Sequence, residues 1–172
     1  HVLETKTTLW GAGVRASAWG MILSEAANVE VDRVGRVYVK KDFSLPKYNN
    51  IFVIGDLARF QDKNNEFLPG VAPVARQAGE FVAKLIKARA EGHNFSEEFT
   101  YKDKGSLAVI GRNKAVADLG YMKAQGFVAW ILWIFVHICF LIGFDNKVSV
   151  LIKWALNYFN QDKGTSLIFV KE

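Results

Sequence analysis

Two glycine-containing motifs in the first third of the chain could contact a dinucleotide cofactor. One is Gly55-Asp56, which follows the apolar run Ile51–Ile54. A short, wholly apolar run predicts a strand buried on both faces of a parallel sheet. A carboxylate at the carboxyl end of such a strand can accept hydrogen bonds from sugar-alcohol hydroxyls, and the adjacent glycine permits close backbone approach. The same pair is compatible with a capped turn that has no chemical role.

The other motif is GAGVRA at residues 11–16, which fits a loose G-x-G-x-x-A pattern after a predicted short strand at 7–10. Glu30 or Asp32 follows at about the distance of the acidic residue that binds ribose in dinucleotide-binding units. However, the strand is short and polar, and too few residues remain for a strand-helix-strand unit before the next hairpin. The pattern favours a glycine turn between domains, with the dinucleotide fingerprint as the alternative.

The elements that would position these motifs alternate between helix and strand, which predicts a mixed α+β or α/β fold. Helical periodicity predicts helices over residues 16–24 and 73–89, the second with proline in its first turn. Alternation around glycine-containing turns predicts hairpins over residues 29–39 and 107–119.

The amino-acid composition excludes some kinds of site and leaves others open. Of the 172 residues, 51% are hydrophobic, which is enough for a sizeable core. Cys139 is the single cysteine, so the chain has no internal disulfide framework and no four-cysteine metal site, and no other metal site is predicted. The net charge of +5 suits an anionic membrane surface or a nucleic acid and by itself selects neither. His137 lies in an apolar run and is expected to be a hydrogen-bonded core or interface residue.

The carboxy-terminal third differs chemically from the rest. Residues 126–144 contain no formally charged side chain, and as a helix they would extend about 28 Å, close to the hydrocarbon thickness of a bilayer. A short link at 145–147 leads to a second predicted helix at 148–160, whose narrow polar stripe includes Lys153. The stripe favours a helix pair lying in one leaflet, with a single transmembrane helix as the alternative. A short strand is predicted at 166–170.

Aromatic side chains of these two helices are the expected membrane contacts. A spanning helix would tend to keep its tryptophans in belts at its two ends, whereas here they are spread through the apolar surface. The residues concerned are Trp130, Trp133, Trp154 and Phe159.

Several segments, taken together, resemble a known family. They are LWGAGVRAS at 9–17, IFVIGD at 51–56, LPGVAPVARQAG at 68–79, YKDKGS at 101–106, IGRNKAVADL at 110–119 and FDNKV at 144–148. In this order they resemble type II NADH:quinone oxidoreductases, the single-subunit, non-proton-pumping NADH dehydrogenases of the two-dinucleotide-binding-domain flavoproteins. The Gly-Asp element is shared by that wider superfamily, and the later segments are more specific. The resemblance implies an enzyme that passes electrons from NADH via FAD to a membrane quinone.

The resemblance also implies which residues bind FAD. Asp56, with Gly55 beside it, would hold the ribityl chain. The backbone around Val74 and Ala75, at a helix start, would face the pyrimidine end of the isoalloxazine. Amide donors and the positive end of a helix stabilise the anion that develops when a flavin is reduced.

The quinone-site candidates implied by the resemblance are Pro73 and Gln77. Gln77 matches a glutamine that family members place near the quinone. The sequence departs from the family pattern here: Pro73 stands where many members have glutamine, Arg76 occupies a usually uncharged position, and Ala78 replaces a frequent glutamine. These departures affect the quinone contacts more than the FAD contacts.

The family pattern divides the chain into three parts. Residues 1–92 would be the carboxy-terminal portion of a Rossmann-like FAD-binding domain, 93–121 a β-hairpin region, and 122–172 two membrane-anchoring helices with a short strand. The first FAD fingerprint and the NADH domain of the family would precede His1. The chain is therefore expected to be a fragment that binds flavin weakly or not at all by itself, with FAD as cofactor and NADH as substrate of the complete protein.

The resemblance implies a peripheral, monotopic position on the cytoplasmic face of the inner membrane. Membrane quinone and the lipid surface are the expected partners, nucleic acid is not, and a homodimer is left open. The alternative from another functional class is a membrane-anchoring or dimerisation module with no catalytic role.

Overall fold

The computed structural model describes residues 5–7, 13–141 and 143–160. Most of the predicted strand at 7–10, Gly11 and Ala12 of the glycine motif, and the predicted strand at 166–170 lie outside these residues. The chain divides into two compact units, residues 1–103 and 104–172.

The described part of the first unit has two helices and four short strands. β1 pairs in parallel with β4, and β2 pairs antiparallel with β3. In chain order the elements are α1 (Trp19–Ala27), β1 (Val37–Tyr38), β2 (Ser44–Leu45), β3 (Tyr48–Phe52), a 3-10 turn (Gly55–Leu57), β4 (Ala58–Arg59) and α2 (Ala72–Ala90).

The prediction that residues 51–54 form a strand buried on both faces of a parallel sheet is wrong. Only Pro46 and Lys47 separate β2 from β3, whereas a parallel connection needs a crossover of about a dozen residues. The strand ends at residue 52, after which Val53 is buried and Ile54 is 40% exposed. Parallel pairing within the described residues is limited to the two-residue β1–β4 ladder, so the Rossmann-like part of the fold prediction is not confirmed.

The predicted amino-terminal helix and hairpin are present with shifted bounds. α1 begins at residue 19 rather than 16, and an antiparallel bridge joins Val31 to Val37 across a turn. Gly20 of α1 faces this turn closely enough that a Cβ at residue 20 would collide with the Gly35 carbonyl oxygen. Glycine at position 20 therefore permits the helix to pack directly on the hairpin turn.

Phenylalanines form the core of the first unit. Phe43 stacks on Phe60 with ring centroids 4.3 Å apart, and Phe81 and Phe99 meet Phe43 edge-on at 6.2 and 4.8 Å. Stacked and edge-on pairs are the geometries that aromatic quadrupoles favour. The α2 helix, predicted over 73–89, is confirmed over Ala72–Ala90, and it turns one face into the core: Val74, Ala78, Phe81, Val82 and Leu85.

The described part of the second unit is a three-stranded antiparallel sheet with two helices. The elements are β5 (Ser106–Gly111), β6 (Lys114–Asp118), β7 (Lys123–Gln125), α3 (Gly126–Phe140) and α4 (Phe144–Asn160). The predicted hairpin at 107–119 is confirmed as β5–β6, and β7 is a strand that the sequence pattern missed. Ala115 and Ala117 of β6 and Ala129 of α3 are almost fully buried, because small side chains let the helix lie close to the sheet.

The two carboxy-terminal helices divide differently from the prediction. α3 ends at residue 140 rather than 144, and residues 145–147, predicted as a link, belong to the first turn of α4. The break falls at Gly143, whose φ of +84° glycine adopts without strain. With 15 residues, α3 is about 22 Å long. Among the described residues, none of the helices combines the length and the apolar character needed to cross a membrane.

Candidate functional site

The Gly55-Asp56 motif lies at the start of the 3-10 turn and against the amino end of α2. Gly55 has a φ of +70°, and a Cβ placed there would be 3.6 Å from the Cβ of Ala75. On the other side of the turn, a Cβ on Gly70 would be 3.5 Å from Asp56 Oδ1. Asp56 is exposed, and within the described part of the chain its carboxylate has no hydrogen bond or ion pair. The structure thus brings together two segments that the sequence assigned to one site, and it leaves a free carboxylate between them.

The amino end of α2 presents fewer open amides than expected. Val71 precedes the helix in an extended conformation and provides no side-chain cap. The amides of Val74 and Ala75 both donate to the Val71 carbonyl oxygen, at 3.0 and 3.1 Å. Pro73 has no amide hydrogen, whereas the amide of Ala72 donates to no acceptor among the described residues. The open donor at this helix end is therefore Ala72, which sequence reasoning did not single out.

Gln77, one turn further along α2, is bonded to the main chain of Lys102. Its Nε2 donates to the Lys102 carbonyl oxygen at 3.0 Å, and the Lys102 amide donates to its Oε1 at 3.0 Å. The partner is 25 positions away in sequence and contributes only backbone atoms, so no residue pattern indicated it.

The two neighbouring departures from the family pattern have different environments. Arg76 is exposed, and its Nε donates to Glu80 Oε1 at 2.9 Å on the helix surface. Ala78 has no exposed surface and packs in the aromatic cluster with Phe43 and Phe81. A glutamine at position 78 would require these rings to move, so alanine there has a packing reason.

The tryptophans expected to contact the membrane pack between α3 and α4. Trp133 stacks on Trp154 at a centroid distance of 5.2 Å, and Trp130 lies 5.6 Å from Tyr158. All three tryptophans are half-buried, and the side chain of Phe159 lies outside the described residues. Exposed apolar side chains of these helices are others: Phe127, Val128, Ile131, Phe135, Phe140, Phe144, Val148, Leu151, Ile152 and Leu156.

The tip of the β5–β6 hairpin contacts the far end of α4. Arg112 lies over the Tyr158 ring with its guanidinium carbon 4.4 Å from the centroid. Asn113, whose φ of +60° forms the turn, places Nδ2 3.4 Å from the Tyr158 hydroxyl. At the other end, Lys147 Nζ donates to the Cys139 carbonyl oxygen at 3.1 Å. The negative carboxyl end of the α3 dipole stabilises a cation at this position.

The pKa values of two side chains, Tyr101 and Asp118, are shifted from their ordinary values. Burial, together with the nearby Asp103 carboxylate, raises the pKa of Tyr101. The backbone hydrogen bond from Gly120 and the Lys123 ammonium lower the pKa of Asp118. The described residues contain no group of three or more His, Cys, Asp or Glu placed to hold a metal ion.

A match to a known protein family covers most of the second unit. Residues 104–161 match the family model described as the NDH2 C-terminal domain. A solved structure of NDH2 from Plasmodium falciparum in complex with NADH is 25% identical, with a TM-score of 0.48 over 56% of this chain and 20% of its own.

Curated relatives extend the likeness over nearly the whole chain. The type II NADH:quinone oxidoreductase Ndh of Mycobacterium tuberculosis is 42% identical over 164 residues, which are 94% of this chain and 34% of the relative. A type II NADH:quinone oxidoreductase of Staphylococcus aureus is 41% identical over 115 residues, 66% of this chain and 27% of the relative. The chain spans about a third of the length of the curated relatives it matches. The resemblance seen in the sequence is confirmed: the chain belongs to the type II NADH:quinone oxidoreductase family and corresponds to the carboxy-terminal part of its members.

Proposed function

We propose that this chain is the flavin- and quinone-facing carboxy-terminal part of an enzyme that passes electrons from NADH through FAD to a membrane quinone. The observation that carries the proposal is the free Asp56 carboxylate on a glycine turn that lies against the first turn of α2. The names of the relatives over the same region support it.

The residues at this turn fit the sugar-alcohol part of FAD. When bound, FAD supplies the redox chemistry by accepting a hydride and passing on two electrons. Asp56 accepts hydrogen bonds from the ribityl hydroxyls, and Gly55 keeps the turn close to Ala75 with no side chain between them. Val74 and Ala75 would contribute the positive field of the helix end, and the Ala72 amide, which donates to no acceptor among the described residues, would be available as a donor to FAD.

Pro73 and Gln77 are proposed to lie at the quinone site, with Pro73 as the residue that meets quinone and Gln77 beside it, bonded to the Lys102 main chain. Both lie in the first two turns of α2, and Pro73 is exposed at the helix start. A proline here offers an apolar surface and no donor, so quinone would meet less polar contact than in relatives with glutamine at this position.

We further propose that α3 and α4 lie on the cytoplasmic face of the membrane as a peripheral pair. Both helices carry exposed apolar side chains, of which Phe135 is 66% and Leu151 50% exposed. Burying one such side chain in lipid stabilises the bound state by about 1.5–3 kcal/mol. Trp130, Trp133 and Trp154 touch lipid through their exposed edges, and quinone enters from the hydrocarbon side. A homodimer would use the same surface.

The second candidate function is a membrane-anchoring or dimerisation module without catalysis. It is favoured by the exposed apolar side chains of the second unit, which need no cofactor to bind lipid. Flavin content separates the two candidates: the anchoring module binds liposomes without flavin in any longer form of the protein, whereas the enzyme carries about one FAD per chain.

The test of the FAD assignment is Asp56→Ala in the enzyme that carries this chain. Hydrogen bonds to a carboxylate contribute roughly 1.5–3 kcal/mol, so the FAD dissociation constant should rise about tenfold or more. Asp56→Asn, which keeps one acceptor oxygen, should fall between. Asp62→Ala removes a carboxylate that binds only its own turn, and it should retain FAD through dialysis. Full retention of FAD by Asp56→Ala would show that the ribityl assignment is wrong.

A further inference from the structure

A segment of irregular backbone, residues 95–103 (here the strap), runs along α2 toward its amino end. Phe95 and Phe99 meet Phe81 of α2 with ring centroids 5.4 and 5.5 Å apart. Phe99 is 7% exposed, so this part of the strap belongs to the core. The next contact with α2 is at Gln77, one turn nearer to the helix start.

The contact at Gln77 uses both ends of its amide group. Nε2 donates to the Lys102 carbonyl oxygen and Oε1 accepts from the Lys102 amide, each at 3.0 Å. This paired geometry copies the exchange between two strands and fixes the position of one peptide segment. If the amide turned toward another ligand, both bonds would break.

The bonds between Gln77 and Lys102 hold the strap close to the start of α2. Residues three and four apart share a helix face, so Gln77 stands directly beyond Pro73 and Val74. Tyr101 packs against the aromatic cluster, and its burial together with the nearby Asp103 carboxylate raises its pKa. The end of the strap is therefore held at Tyr101 by the core and at Lys102 by Gln77, next to the turn of α2 proposed to face flavin and quinone.

We propose that Gln77 is a positioning residue: it fixes the Lys102 main chain beside the amino end of α2 and influences quinone reduction through the strap, not by contact with quinone. The part that concerns quinone rests on the proposed function. The part that concerns the strap does not.

The strap is tested by hydrogen exchange in the enzyme that carries this chain. Gln77→Met keeps the length of the side chain and removes both bonds. Exchange at the Lys102 amide should become about three- to tenfold faster, the usual effect of losing a hydrogen bond of this kind. The matched control is Gln61→Met, since the Gln61 side chain donates to the Asn65 carbonyl oxygen within its own turn. An unchanged exchange rate at Lys102 in Gln77→Met would overturn the proposal.

The link to quinone is tested by steady-state kinetics. Gln77→Met should raise the KM for quinone while NADH still reduces the flavin at the wild-type rate. Lys102→Pro removes the main-chain donor and leaves the Gln77 side chain in place, so it should raise the same KM. If Gln77→Met raises the KM and Lys102→Pro does not, Gln77 contacts quinone directly and the proposal is wrong. Absence of NADH:quinone activity in the wild type would instead refute the proposed function, and the exchange result would stand apart from it.

Discussion

The core of the first unit is built from phenylalanines that meet one another, whereas the described phenylalanines of the second unit are exposed. Phe43, Phe60 and Phe99 are at most 7% exposed, and they hold the hairpin strands, the 3-10 turn region and α2 together. In the described part of the second unit, every phenylalanine is more than half exposed, with Phe127 at 56% and Phe144 at 79%. The two units therefore achieve their internal packing with different side chains.

Small residues form the buried contact between sheet and helix in the described part of the second unit. Ala115, Ala117 and Ala129 bring sheet and helix into close contact, and stacked indoles join α3 to α4. Packing through alanine buries little area per residue, so the stability of the second unit depends more on its hydrogen-bonded ladder and its helix pairing. Phenylalanines therefore form the core of the first unit, whereas the described phenylalanines of the second unit remain exposed to solvent.

The largest expected effect is on the core of the first unit. Phe43→Ala should lower the free energy of unfolding by about 3–5 kcal/mol, because it removes a buried ring and leaves a cavity among three other rings. Phe127→Ala is the matched control in the second unit and should lower it by less than about 1 kcal/mol in the absence of lipid. Urea unfolding measures both. Equal losses from the two substitutions would remove the contrast between the units.

An intermediate effect is expected on membrane binding. Phe135→Ser should weaken partitioning onto anionic liposomes about tenfold or more, because an exposed ring that gains about 1.5–3 kcal/mol in lipid is lost. Ile22→Ser removes an apolar side chain of α1 with 47% exposure and should leave partitioning unchanged. Vesicle co-sedimentation measures both variants. If Ile22→Ser weakens binding as much as Phe135→Ser, the lipid surface is not confined to the second unit.

The smallest expected effect is a pH dependence of the first unit. Burial raises the pKa of Tyr101 above its ordinary value, so its contribution to stability is complete below about pH 10 and is lost as pH rises through the folded-state pKa. Tyr101→Phe should therefore flatten the alkaline decline in stability. Tyr121→Phe, at a tyrosine of the second unit that is 88% exposed, should not change it. Denaturant midpoints measured across alkaline pH decide between these outcomes.

Sequence reasoning predicted the elements whose signal is local and periodic. The α2 helix follows from its apolar spacing and early proline, and the β5–β6 hairpin follows from alternation around Gly111. The antiparallel pairing of β3 did not follow from the sequence, because a short apolar run of residues fits a parallel or an antiparallel strand equally well. The end of α3 was also missed, since hydropathy continues through Gly143 while the backbone does not.

The residues of the candidate site remain a prediction, whereas the structure shows hydrogen bonds among them that the sequence did not indicate. The sequence placed Gly55-Asp56 and the start of α2 at one site, and the structure brings these two segments close together. The commitment of the Val74 and Ala75 amides to Val71, and of Gln77 to Lys102, depends on backbone positions that residue types do not encode.

The stacked indoles of Trp133 and Trp154 have an optical consequence. With centroids 5.2 Å apart and planes inclined by 18°, their electronic transitions couple, and the coupling is lost once α3 and α4 separate. The helix pair therefore carries its own reporter, readable by circular dichroism in the aromatic region, and no label is needed to ask whether the pair stays closed when the protein meets a lipid bilayer.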